Sequence, residues 1–325
     1  MWHQKMPFFK DSLMRRLLDD YPREDVAAVF QRRLEEVFVQ LTKNAHEKYK
    51  IENLVLAGGT FSNVKLNQRL SEIPGIKRVY IFPNMTDGGI SVGAALHYDI
   101  TTNGSFGSSV RDVYFGPEFS NEEIEAALKK AGLKYEYVEN IEATIADLLV
   151  ENKVVARFHG KMEYGPRALG NRSILYAATD LTVNDWLNKR LGRTEFMPFA
   201  PVTLAEYADK CYENLNGNEF PAKFMTITFD CTDYMKEVSP ATVHVDGTAR
   251  PQLIDEETNP SYYKILKEYH KRTGIPSIVN TSFNMHEEPI VCTPDDAVRS
   301  FQQGHLEYLA IGKFLVSSAE NNDGK

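Results

Sequence analysis

At 325 residues the chain is long enough for two domains, and 42% hydrophobic with 25% charged residues is the balance of an ordinary soluble globular protein. A net charge of -8 and a pI near 5.6 argue against a general nucleic-acid binder, while leaving room for a local basic pocket. Cys211, Cys231 and Cys292 are widely spaced, no apolar run approaches the ~18 residues a bilayer requires, and "MWHQKMPFFKDS" has no signal-peptide core, so reduced thiols and a cytoplasmic setting are expected, with no membrane partner.

The first long periodic segment, "REDVAAVFQRRLEEVFVQLTKNA", predicts a helix with Val26, Val29, Phe30, Leu34, Val37, Phe38 and Leu41 on one face. "NLVLAGG" then reads as a strand, "SNVKLNQRLSEI" as a helix, "RVYIFP" as a second strand and "GGISVGAALHYDI" as a glycine-entered helix. Two strands with amphipathic helices cannot bury their apolar faces alone, so this part reads as a fragment of a larger α/β domain. The Gly/Ser/Thr/Asn-rich stretch from Asp99 to Ser120 is the expected domain boundary, giving segments 1–105 and 106–325.

Beyond the boundary, helices again alternate with strands. "SNEEIEAALKKAG" opens with a capping box, Ser120 with Glu123. It is followed by "LKYEYV", the helix "IEATIADLLVEN", "KVVARF", "RSILYAA", "FAPVTL", "KFMTITF", the helix "SYYKILKEYHKRTG", "PSIVNT", the helix "PDDAVRSFQQG", "LEYLAI" and "KFLVSS". The pattern is that of a complete α/β domain.

Several turns carry chemistry. Gly58 and Gly59 in "VLAGGTFSN" follow a strand and precede a helix, an arrangement open to a nucleotide phosphate or to a plain tight turn. Asp87 in "NMTDGGISVG" stands at a similar turn, where a carboxylate can cap a helix, ligate a metal or meet a ribose; capping is the commonest of the three. Two such turns at the ends of adjacent parallel strands mark the usual ligand edge of an α/β sheet. "GKMEYGPRALGNRS" brings Lys161, Arg167 and Arg172 into a glycine-punctuated loop after a strand, "KRLGR" adds Lys189, Arg190 and Arg193, "HVDGTAR" adds Arg250, and "NTSFN" supplies Thr281, Ser282 and Asn284. Arginine forks with neutral hydroxyl and amide donors suit a phosphate, and with no GxxxxGK[ST] the holder is not a P-loop. His159 and His244 flank such loops and are candidate proton carriers beside the commoner structural role.

"EYGPRALGNRSIL", "PFAPV", "HVDGTARPQ", "NPSYYKIL" and "GIPSIVNTSFNMHEEPIVCTPDDA" closely resemble the carboxyl-terminal domain of the O-carbamoyltransferases, the nodulation and antibiotic-tailoring type, and "LVLAGGTFSNVKLNQRL" with "NMTDGGISVGAAL" resemble the end of its other domain. The resemblance implies a YrdC-like α/β domain preceded by part of an actin-like ATPase (ASKHA) domain. It implies that carbamoyl phosphate and ATP give carbamoyl-adenylate in the later domain, followed by transfer to a small-molecule hydroxyl acceptor, a sugar or natural product. In that reading Arg250, Ser282, Asn284 and Arg167 carry the chemistry, while Lys161, Arg172, Lys189 and Arg193 line the same pocket. Gly58, Gly59 and Asn63 match nucleotide-facing positions, and Asp87 matches a ligand of a divalent metal, iron or magnesium, whose histidine ligands lie in a part of the family absent here. Leu191 and Met197 stand where the family places basic residues. A nucleotide-binding regulatory or remnant protein is the alternative expectation. Either way, self-association or an amino-terminal partner polypeptide is expected, because the first segment leaves apolar surface uncovered.

Overall fold

The computed structural model describes residues 20–104, 110–192, 199–215 and 217–322, and the alternating pattern resolves there into an eight-stranded mixed sheet and two smaller strand pairs. The first helix, Arg23–Tyr49, leads to β1 (Asn53–Leu56) and β2 (Arg78–Ile81), which pair in parallel around the helix Val64–Ser71. The glycine-entered helix Gly88–Asn103 follows β2. The large sheet runs β3 (Glu136–Tyr137), β12 (Phe314–Ser317), β11 (Tyr308–Ile311), β4 (Val155–Phe158), β5 (Arg172–Ala177), β10 (Ser277–Ser282), β6 (Ala200–Leu204), β9 (Gln252–Ile254) in spatial order. Only the β11–β4 and β6–β9 pairs are parallel. The remaining pair is β7 (Phe229–Asp230) with β8 (Thr248–Ala249).

β4, β5 and β6 are buried along their whole length, which is why their apolar residues do not alternate with exposed polar ones; Arg157, Arg172, Ser173 and Thr203 are buried with them. The helix Pro260–Thr273 packs on Ile141–Val150, and Pro294–Gln303 on Asn121–Lys130. Ser120 and Glu123 form the expected capping box, and Thr293 with Asp296 forms another. "KFMTITF" departs from the expected strand. Met225 takes a left-handed φ of 57°, so the extended path is broken and only Phe229 of that run enters a strand.

The first segment does not stand apart. Leu54, Leu66, Val79, Ile81 and Met85 share one apolar cluster with Cys211, Ile227, Phe229, Met235 and Leu253. Polar ties cross the same seam: the Asn67 amide donates to Thr226 O at 2.7 Å, Asn218 Oδ1 accepts from Val79 N–H at 2.8 Å, and Lys65 pairs with Asp246 at 2.9 Å. The long first helix is less satisfied. Leu34 and Phe38 pack against this cluster, whereas Val29, Phe30, Val37 and Leu41, expected on the buried face, are exposed. The helix Gly88–Asn103 buries no residue despite its apolar composition. No described helix is long and apolar enough to cross a membrane.

Strand register gathers one end of the large sheet. Ser282, the last residue of β10, pairs with Ser173 near the start of β5, and Arg172 opposes Phe158, the last residue of β4. Ala200 opens β6 opposite Asn280, and Gln252 opens β9 beside Val202. The β4–β5 connection, the end of β10 and the segments leading into β6 and β9 therefore meet at a single edge.

Candidate functional site

A cavity of about 420 Å³ opens at that edge. Arg167 and Ala168 enter it from the β4–β5 connection, Arg250 from the lead into β9, and Thr281, Ser282 and Asn284 from the end of β10. Phe199, Ala200 and Met225 form an apolar wall, and His286 with Glu287 stands at another side. The charge there is uneven. Burial, and then the neighbouring Arg167, press the Arg250 guanidinium down to about 9. Among the described residues Arg250 has no ion-pair partner. A buried cation without a counter-charge is costly unless an anion arrives.

Ser282 donates its hydroxyl hydrogen to Asn284 Oδ1, and the Asn284 amide donates to Met285 O and Glu288 O, each at 2.9 Å. Asn284 thus shapes the turn that carries His286 and Glu287, and it orients the Ser282 oxygen at the cavity. The apolar wall beside two guanidinium groups and a hydroxyl is the mixture of surfaces that a nucleotide requires: a flat face for a base and cations for its phosphates.

Four of the expected residues, Arg167, Arg250, Ser282 and Asn284, meet in this cavity. Others do not. Arg172, expected to line it, is 0% exposed. Its guanidinium donates to His159 O, Gly160 O and Pro117 O and lies over the Phe158 ring at 3.7 Å. Its cation is absorbed by carbonyl dipoles and a ring face, so it serves the loop and not a ligand. Lys161 is exposed and lies off the cavity lining, as does Lys189 on the helix Val183–Arg190. From that helix it is Asn188 that reaches the cavity. Arg193 and Met197 lie outside the described residues. Leu191, standing where a basic residue is the family pattern, is buried in the apolar core at 1% exposure.

The histidines separate from the chemistry as well. Burial, aided by Arg157, drives His159 down to about 3, leaving it neutral. His244 is also lowered by burial and holds Thr248 Oγ1 at 3.1 Å.

Gly58, Gly59, Asn63 and Asp87 are not part of this cavity's lining and follow the carboxyl ends of β1 and β2, although Gly88 O accepts from Tyr164 of the loop that carries Arg167. Their two turns are joined by the Gly58 N–H to Met85 O bond at 2.7 Å. Asn63 caps the helix Val64–Ser71 through Leu66 N–H at 3.0 Å and donates to Gln31, while both glycines are exposed with open space around them. Asp87 is an exposed carboxylate at the entry to Gly88–Asn103 and makes no side-chain cap. Among the described residues no three His, Cys, Asp or Glu side chains gather to hold a metal ion, so Asp87 by itself does not make a metal centre.

Sequence reasoning missed the architecture beneath Arg167. Glu163, buried at 3% exposure, accepts the N–H groups of Leu169, Asn171 and Arg172 on one oxygen at 2.6, 3.0 and 3.2 Å. Leu169 O accepts from Tyr114 and Gln252, Ala168 O from Asn280, and Gly170 O from Arg157. The backbone of this loop is buried, and side chains supply the partners that a sheet or helix would otherwise give. The acid inside "MEYGPRALG" was the available signal: a lone Glu in a basic loop.

Sequence profiles agree with this layout. The carboxyl-terminus profile of the carbamoyltransferases matches residues 146–318 and the amino-terminus profile matches residues 2–96. An uncharacterised protein of Methanocaldococcus jannaschii is 37% identical over 301 residues, 90% of this chain and 49% of its own length. Nodulation protein NolO of Bradyrhizobium diazoefficiens is 33% identical over 90% of this chain and 54% of its own length, and nodulation protein U of Rhizobium tropici is 32% identical over 93% and 50%. The chain thus spans about half the length of the curated relatives it matches. Full-length HypF in its phosphate- and nucleotide-bound form superposes with a TM-score of 0.39 at 18% identity, over 54% of this chain and 25% of that one.

Proposed function

Because this chain belongs to the carbamoyltransferase family, we propose that it takes part in carbamoyl transfer to a hydroxyl group, and that its cavity at the edge of the large sheet makes carbamoyl-adenylate from carbamoyl phosphate and ATP. The reading rests on one observation above the rest: Arg167 and Arg250 converge beside Ser282 and an apolar wall, and Arg250 has no ion pair among the described residues.

In this reading water opens carbamoyl phosphate to carbamate and inorganic phosphate. A carbamate oxygen then attacks the α-phosphorus of ATP, forming the P–O bond of the mixed anhydride and expelling pyrophosphate. Charge accumulates on the departing phosphates, and fixed guanidinium groups in a site screened from water stabilise it without reorganising. Arg250 and Arg167 hold that charge, and Ser282, its hydroxyl hydrogen engaged by Asn284, presents its oxygen as an acceptor to the carbamoyl NH2 group. Transfer to the acceptor hydroxyl, in a sugar or natural product, then releases AMP and a proton. A divalent metal, iron or magnesium, belongs to the proposal only as a companion of this second step. The described residues bring the single carboxylate of Asp87 toward it, so no step is assigned to that ion here.

The exposed apolar side chains of Arg23–Tyr49 and Gly88–Asn103 support a further component, a partner polypeptide or a second copy covering those helices. The same exposure favours a second reading, a nucleotide-binding regulatory or remnant protein. The test is release of pyrophosphate from ATP, measured with and without carbamoyl phosphate. Release that requires carbamoyl phosphate and disappears in Arg250→Ala supports the enzyme. Tight ATP binding with no pyrophosphate formed, even when the amino-terminal portion of a longer relative is added, supports the second reading instead.

A further inference from the structure

The five residues Tyr164–Ala168 form a loop whose two ends are tied by a single side chain. Glu163 precedes the loop, and its carboxylate grips the N–H of Leu169 just after it, at 2.6 Å, and then those of Asn171 and Arg172. The other carboxylate oxygen is buried and has no hydrogen-bond partner among the described residues. Burial raises the carboxyl pKa, against the lowering pull of these N–H bonds. Gly170 sits inside the grip with a φ of 109°, its α-carbon so close to Tyr262 that a β-carbon would stand 2.2 Å from the ring. Arg167 is carried on the closed loop, two residues before the fastened Leu169.

We propose that Glu163 is the positioning residue of the cavity: its carboxylate fixes the stem from which Arg167 reaches the anion. The inference rests on the reading of the cavity as a phosphate site, and it concerns what holds that site in shape. A guanidinium fork discriminates phosphate only when its base is stationary, because a displacement of about 1 Å is enough to break a two-point contact. The three N–H groups cannot be satisfied by water where they lie, so losing the acceptor forces the loop to move.

The experiment is a double-mutant cycle on the whole chain, with ATP and inorganic tripolyphosphate as probes in calorimetry. Glu163→Ala is expected to weaken both probes by at least about 10-fold. In an Arg167→Ala background the same change is expected to cost less than about 2-fold, since the group it positions is gone. Glu163→Gln keeps the accepting oxygen and is expected to stay within about 3-fold of the unaltered chain. Should Glu163→Ala fail to fold, Glu163→Asp, which retracts the oxygen by one methylene, takes its place in the cycle. Folded Glu163→Ala with unaltered affinity, or an equal loss in both backgrounds, overturns the proposal and leaves the phosphate reading standing. An unaltered chain that binds neither probe removes both.

Discussion

Arg167 and Arg250 share one cavity, and the positive charge of Arg167 adds to burial in lowering the Arg250 guanidinium, for which the described residues offer no ion pair. Two like charges held together in a partly dry site repel one another, and a folded chain tolerates the arrangement when something else is gained. Under the proposed function a bound polyanion would relieve that repulsion, which separates the effects of substitution on stability from those on binding.

Arg250→Met is therefore expected to act in opposite directions. Removing a half-buried charge that has no ion pair among the described residues raises the melting temperature of the ligand-free chain by a few degrees, of order 1 kcal/mol. ATP affinity falls by at least about 30-fold, the loss of a charge-assisted contact worth roughly 2 kcal/mol or more. Thermal melts and calorimetry on the same preparation check both; unaltered ATP affinity would remove Arg250 from the site.

Asn284→Ala is expected to destabilise more than Ser282→Ala. Asn284 accepts from Ser282 and donates to two backbone carbonyls of the following turn, so truncating it breaks all three of these bonds, whereas truncating Ser282 breaks one of them. Losses of about 1–3 kcal/mol for the asparagine and under about 1 for the serine follow from the number of polar groups left unpaired. Chemical denaturation measures the difference, and equal losses would show that the turn does not depend on the amide.

Gly170→Ala is expected to be among the most damaging single methyl additions in the chain. The backbone is left-handed at φ 109°, and the added carbon would overlap Tyr262 at 2.2 Å. A cost above about 3 kcal/mol, or failure to accumulate folded protein, is the expected result. A melting temperature within a degree or two of the unaltered chain would mean that the ring can step aside.

Acid should weaken the fold through His159. Burial, then Arg157, lowers its folded pKa to about 3, below the roughly 6.5 of an unfolded chain. Between those values the unfolded chain binds the extra proton, so stability rises with pH and is lost as pH falls below about 6.5. The expected loss from this group between pH 7 and pH 5 is of order 1–2 kcal/mol. His159→Gln should flatten that part of the profile; an identical slope in the variant would assign the acid sensitivity elsewhere.

Much of the fold was legible because periodicity reports burial. β4 and β5 read as strands from short, mostly apolar runs that alternate little, and Ser120 with Glu123 announced a helix that begins where the capping box places it. The site was legible by type more than by direction. Arg167 and Arg172 are five residues apart in one motif and look alike as letters. One faces the cavity while the other turns beneath its own loop, because Arg172 starts a fully buried strand and carbonyl oxygens await it there. Asn188 was hidden for the complementary reason: a neutral side chain beside Lys189 and Arg190 draws no notice, although only it points inward. The long first helix shows the limit of amphipathicity, since an apolar stripe states that something must cover it without stating what.

The cluster that joins Leu54, Val79 and Met85 to Cys211, Phe229 and Leu253 makes the two profile-matched regions interdependent. Expressed without residues 20–104, the later region would bare the other half of that oily seam along with Thr226 O and the Asn218 amide oxygen, groups it now lends to Asn67 and Val79. Swapping either region for that of a relative is thus a matter of transplanting a matched seam, and chimaeras spliced inside it should precipitate where those that carry both faces together stay in solution.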